Sequence, residues 1–125
     1  MNFISAAELY TINEEVTGQR PRVRDRHLLR SAANRPFTFM FGQEIYPSVL
    51  DKAAALLHSL AYHHLFVDGN KRTATRAIVL FLERSGYRVT WTPQEAYDFV
   101  LEVAKGQLDV PEIAARLEAF TAPAE

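Results

Sequence analysis

The sequence predicts an all-α fold, a single domain of about six helices with a short hairpin or loop near residues 36–46. Three observations predict it. At 125 residues the chain has the length of one domain and can bury roughly two-thirds of the surface its unfolded form exposes. Helix-start residues followed by apolar residues at helical spacing recur from one end to the other, most runs closed by Gly or Pro. Only residues 37–41 and 87–91 alternate as strands do, and neither stretch has the partners that a real sheet needs.

Ser5-Ala6-Ala7-Glu8 is a capping box, in which the Ser hydroxyl and the Glu carboxylate each satisfy a backbone N–H left free by the first turn. It opens a helix carrying Leu9, Ile12 and Val16 that should stop near Gly18. Asp25 starts a short helix with Leu28, Leu29 and Ala32, ended by Asn34-Arg35-Pro36. Ser48, after Pro47, starts a long helix through Leu50, Ala53, Leu57, Leu60 and Ala61, which Asp68-Gly69-Asn70 interrupts. The next helix runs from Asn70 to Ser85 with Gly86 as its stop. Its 77–82 stretch is apolar nearly all round, the mark of a central buried helix. Thr92-Pro93-Gln94-Glu95 puts an N-cap, a first-turn Pro and a capping Glu ahead of Tyr97, Val100, Leu101 and Ala104, and Gly106 stops that helix. Asp109-Val110-Pro111-Glu112 repeats the signal for a last helix through Ile113, Leu117 and Phe120. The whole of 1–125 reads as one domain.

Composition narrows the function. With 48% hydrophobic and 23% charged residues this is an ordinary globular chain. Its 14 Lys+Arg against 15 Asp+Glu give a net charge of −1, without the basic excess that direct nucleic-acid binding needs. No apolar run reaches the roughly 18–20 residues of a membrane span. Residues 1–5 do not read as a secretory signal, so a cytoplasmic location is expected. With no cysteine there is no disulfide, thiolate metal site or cysteine nucleophile.

The informative stretch is residues 64–74, where one long helix ends and the next begins. The first N–H groups of a helix have no intrahelical partner, and the helix dipole adds about half a positive charge there. Such a start receives anions, phosphate above all. Gly69 allows close approach of backbone, and Asn70, Lys71 and Arg72 add donors. Asp68 would repel bare phosphate but suits a divalent cation held between carboxylate and phosphates. His64 is of the side-chain type that takes up protons near neutral pH. Each of these residues alone is ordinary at a turn. A base, a metal ligand and an anion hole at one helix start are not.

His64-x-Phe66-x-Asp68-Gly69-Asn70-x-Arg72 resembles the Fic motif, H-x-F-x-[DE]-G-N-x-R-x-x-R, and Lys71 with Thr73-Ala74 brings it closer to the Doc (death-on-curing) branch, H-x-F-x-D-[AG]-N-K-R-T-A. Val23-Arg24-Asp25, Tyr46-Pro47, the 52–57 helix segment and Gly86-Tyr87 extend the resemblance over most of the chain. The resemblance implies a Fic fold, with a flap near 37–46 that holds a target peptide as an added strand. It implies His64 as general base on a Ser or Thr hydroxyl and Asp68 as the magnesium ligand. Asn70 and Arg72 would bind the phosphates of ATP, with the amides of Gly69 to Arg72 as anion hole. Two departures favour the Doc branch. Lys71 stands where AMP-transferring members have glycine, and Thr75 stands where they have a second Arg. In Doc toxins the nucleotide is reversed and presents its γ-phosphate, so the chain is expected to be a protein kinase. Its target would be elongation factor Tu or another translation protein, and its restraint a Phd-like antitoxin. An AMP transferase of the same fold, or an inactive antitoxin-binding module, are the alternatives.

Arg76 is one residue past the missing Arg, about 100° around the helix, and is expected to be peripheral. Arg20, Arg22, Arg24, Arg26, Arg30 and Arg35 read as a solvated face, with docking of an acidic partner as the functional option. His63 reads as structural, His58 and Tyr62 as packing at i, i+4, and His27 as surface. The self-inhibitory pattern [ST]-x-x-x-E-[GN] fails at Thr11…Glu15, which Val16 follows, and at Thr121…Glu125, which contains Pro123.

Overall fold

The computed structural model describes residues 2–124, so Met1 and Glu125 (the latter closing the second failed inhibitory pattern) lie outside it. Among the described residues six helices form where the start signals stand. Helix α1 (Ala6–Thr17) begins on the Ser5/Glu8 capping box and ends at Gly18, whose φ of 68° is the left-handed turn that releases the chain. Helix α2 (Arg26–Asn34) starts on the Asp25 carboxylate and passes into one 3₁₀ turn at Arg35–Phe37. Helix α3 (Val49–Tyr62) is capped by Ser48, α5 (Pro93–Ala104) by Thr92 with Glu95, and α6 (Val110–Ala119) by Asp109 with Glu112. Helix α4 (Asn70–Arg84) is different: no side chain caps it.

The core is built around α3, which packs on α4, α5, α6, α2 and the 3₁₀ turn. Nine of its fourteen residues are buried, against six of fifteen in α4, where Val79 and Leu80 are only partly covered. The expectation that α4 is the central helix is therefore corrected: α3 is the more enclosed. Its run of small residues, Ala53-Ala54-Ala55, lets neighbouring helices approach from every side. Phe66, Phe81, Phe99, Leu57 and Ile78 fill the space between.

Two short ribbons decorate the helices. Strands β1 (Phe39–Met40) and β2 (Gln43–Glu44) form an antiparallel hairpin within the expected 36–46 segment. Its two turn residues, Phe41 and Gly42, both have positive φ (52° and 75°), as a two-residue hairpin turn requires. The other alternating stretch does find a partner. Strand β3 (Tyr87–Val89) pairs antiparallel with β4 (Thr121–Pro123), at the chain's far end. Pro123 faces no lost ladder bond there because β4 is an edge strand. The expected α5 face is also shifted. Ala96, Phe99, Val100 and Val103 are buried, whereas Tyr97 is 58% exposed. Leu28 of α2 is likewise exposed.

Candidate active site

The loop between α3 and α4 is held from four directions. Residues 22–24 pair with it as an isolated bridge, Arg24 N–H donating to the Leu65 carbonyl at 2.8 Å and Val67 N–H to the Arg22 carbonyl at 2.9 Å. Leu65 and Phe66 are buried in the core. The Asn70 carboxamide closes the loop on itself, accepting from Phe66 N–H at 3.0 Å and donating to the Phe66 carbonyl at 2.8 Å. From α1, buried Asn13 donates to the Asp68 carbonyl at 2.8 Å and to the Thr73 hydroxyl at 3.1 Å.

This scaffold presents the start of α4 to a cleft of about 990 Å³. Asp68, Gly69, Asn70, Lys71 and Arg72 line one end of it, beside Glu15 and Val16 of α1. With no capping side chain, the N–H groups of the first turn are left for a ligand, whereas the other five helices each spend a side chain on theirs. Lys71 and Arg72 place cations in the first turn, at the positive end of the helix, the reverse of what helix stability favours. An anion at this end removes that conflict.

The predicted residues take up distinct positions. Asp68 Oδ1 accepts from Gly69 N–H at 2.8 Å and lies 3.7 Å from Arg72, with the carboxylate largely exposed. Among the described residues no group of three or more His, Cys, Asp or Glu could hold a metal. A single open carboxylate still fits a magnesium ion that takes its remaining ligands from phosphate oxygens and water. Arg72 is turned back onto α1, donating to the Val16 carbonyl at 2.8 Å. Asn70, which the resemblance gives to the phosphates, has its carboxamide occupied by Phe66, so its offer to an anion is its backbone N–H. Gly69 has φ 78°, and a Cβ there would come within 2.6 Å of Thr17 Cγ2. Its glycine thus answers to the packing of α1 as well as to any ligand. His64 is exposed in the same loop and is not among the residues lining the cleft.

Arg76, expected at the periphery, lines the cleft together with Thr75 and Val79. Five of the six clustered arginines are exposed as a solvated face; the sixth, Arg35, is half-buried and structural. Its Nη1 lies 2.9 Å from His58 Nδ1 and 3.0 Å from Ser59 Oγ, and its Nε donates to Tyr46 Oη at 3.1 Å. Burial first, then Arg35 and His63, holds His58 below the ordinary histidine value. His58 stacks on Tyr62 at 5.2 Å, as the i, i+4 spacing implies, and His63 packs edge-on against both.

A sequence profile of the Fic/DOC family matches residues 3–82, from α1 to the buried end of α4. The chain belongs to the Fic/DOC family. It is 39% identical over 125 residues to Toxin Doc of Mycolicibacterium smegmatis, covering 98% of this chain and 96% of that one. Protein kinase doc of Escherichia phage P1 shares 35% identity over 77 residues, 62% of this chain and 60% of that protein. The Fic/DOC core thus holds the whole α3–α4 loop, while α5 and α6 lie beyond the matched profile. Sequence reasoning missed Asn13, Trp91 and Tyr97, all of which border the Fic/DOC loop or its cleft. Asn13 offered no local signal, because its partners are 55 and 60 residues away.

Proposed function

We propose that this chain is a Doc-type toxin that works as a protein kinase. It would pass the γ-phosphate of ATP to a Ser or Thr hydroxyl of a translation protein, with elongation factor Tu as the expected target and a Phd-like antitoxin as its restraint. The observation that carries the reading is the uncapped start of α4, which bears Lys71 and Arg72 and opens beside Asp68 into a cleft. Similarity over nearly the full length to a protein named Toxin Doc, and over 77 residues to one named Protein kinase doc, supports it.

The residues divide the work by position. The N–H groups of Asn70, Lys71 and Arg72, with the Lys71 ammonium, neutralise phosphate charge where it accumulates. Asp68 would hold magnesium, which would supply positive charge to offset that of the phosphates. Exposed His64 takes the proton from the incoming hydroxyl. The hydroxyl oxygen then bonds to the γ-phosphorus as the bond to the bridging oxygen breaks, and ADP leaves.

Incubation with elongation factor Tu and ATP labelled at either phosphate tests this. The γ label should appear on the target and the α label should not. His64→Ala should abolish both labelling and growth arrest while keeping the helical circular dichroism of the parent. Transfer of the α label, or full toxicity of the folded His64→Ala variant, overturns the reading.

A further inference from the structure

The cleft has a second half to which no role has been given. Beyond the phosphate end it continues past Thr75, Arg76 and Val79 to an aromatic wall made by Trp91 and Tyr97, with Pro93, Ala96 and Val100 beside them. Helical geometry makes this one track. Lys71, Thr75 and Val79 follow at i, i+4, i+8, with Arg72 and Arg76 alongside, so a single stripe of α4 floors the cleft from end to end. From Asn70 to Val79 the axis advances about 13 Å, which is the reach of a triphosphate and a ribose laid end to end.

The aromatic wall is built rather than incidental. Trp91 is half-buried and pinned from the core side, its ring 5.7 Å from Phe120 and 6.1 Å from Phe99. Tyr97 is exposed although it sits on a helix whose apolar residues are otherwise covered. A fixed indole and an open phenol ring on one wall, with a cation midway along the floor, match a nucleotide from base to phosphate. Planar bases stack on aromatic side chains whatever their edge pattern.

We infer that Trp91 and Tyr97 form a stacking subsite for the nucleobase of the nucleotide whose phosphates occupy the start of α4, with Arg76 beside its ribose and α-phosphate. This rests on the kinase reading for the phosphate end only. It adds which wall holds the base, and it runs the nucleotide along α4 rather than towards the flap.

Trp91 is the one tryptophan of the chain, so its fluorescence reports the subsite directly. Titration with ATP and magnesium should quench it, whereas inorganic tripolyphosphate with magnesium should bind, by calorimetry, without quenching. Tyr97→Ala removes an exposed ring and leaves the core intact. It should weaken ATP about tenfold, within the range for loss of one base-stacking partner, and leave tripolyphosphate affinity unchanged. If ATP binds and the target is labelled, yet the fluorescence is unmoved and Tyr97→Ala binds ATP as the parent does, the subsite is wrong while the kinase reading stands. That is also the result expected if the aromatic wall receives an apolar helix of a protein partner instead. If neither ATP nor tripolyphosphate binds, both the subsite and the phosphate end are overturned.

Discussion

Gly69 carries two constraints that have separate energetic signatures. Its φ of 78° lies in the left-handed region, which costs a residue with a Cβ about 1–2 kcal/mol. Its missing Cβ is also the space that Thr17 occupies, at 2.6 Å. Thr17 cannot swing aside freely, since its hydroxyl donates to the Asn13 carbonyl at 2.9 Å and interacts with Gln19. Gly69→Ala should therefore destabilise the domain by about 2–4 kcal/mol, the strain and the overpacking together. Thr17→Ala in the same chain should recover the packing part and leave the backbone part, which a double-mutant cycle in urea separates. If Gly69→Ala unfolded at the parent's urea midpoint, the close approach of α1 would not constrain the loop. The sequence showed Gly69 as a place for close approach but named a phosphate as the visitor. The structure adds α1, whose contact spans more than fifty residues and leaves no mark in local spacing.

At the scale of elements, α3 fastens the hairpin as well as forming the core. Lys52 is buried on α3, 3.1 Å from the Glu44 carboxylate of β2 and bonded to the Tyr46 carbonyl just beyond it. Arg35 holds the Tyr46 hydroxyl from the other side. Two cations thus pin the return limb of the flap, while its tip, Phe41, is fully exposed. Lys52→Met keeps an apolar stem in place and leaves Glu44 solvated. Global stability should change by no more than about 1 kcal/mol, since the Glu44 carboxylate left behind is solvated and a pair so open to water contributes little. Amide exchange in 39–46 should accelerate at least tenfold, with α3 and α4 unchanged. Unaltered exchange in that segment would remove Lys52 as its fastening. Elements were legible where their signals are local. The Ser5/Glu8, Thr92/Glu95 and Asp109/Glu112 boxes each mark their own helix within four residues. The β3–β4 ribbon was not, because Arg88 pairs with Ala122 across the whole of α5 and α6. Nor was the phase of α5: Tyr97 and Ala96 both fit a helical stripe, and only the packed neighbours choose between them.

The molecule as a whole should lose stability to acid in two separable steps, set by two contacts between different pairs of elements. His58, where α3 meets Arg35 of the 3₁₀ turn, has its folded value pushed below 6.5 by burial, then by Arg35 and His63. His27 lines the same cavity, and Tyr62 stacks on the ring. Between the lowered folded value and 6.5 the unfolded chain binds the more protons, so stability is complete above 6.5 and is lost as pH falls through that window. Glu8 joins α1 to α4 through a two-pronged pair with Arg84, at 3.1 and 2.6 Å. Its hydrogen bond with Arg84 is the main cause that holds it below 4.5. This is a carboxylate with a depressed folded value, so its contribution is present above 4.5 and is lost as pH falls further. His58→Gln keeps an acceptor for Arg35 and removes the titration, so its melting temperature should stay level just below pH 6.5 where the parent's falls. Below 4.5 the two curves should run parallel. Glu8→Gln should do the reverse, following the parent through the first window and flattening in the second. If His58→Gln followed the parent's curve downward from 6.5, the cost of charging the ring beside Arg35 would not be what weakens the fold in mild acid.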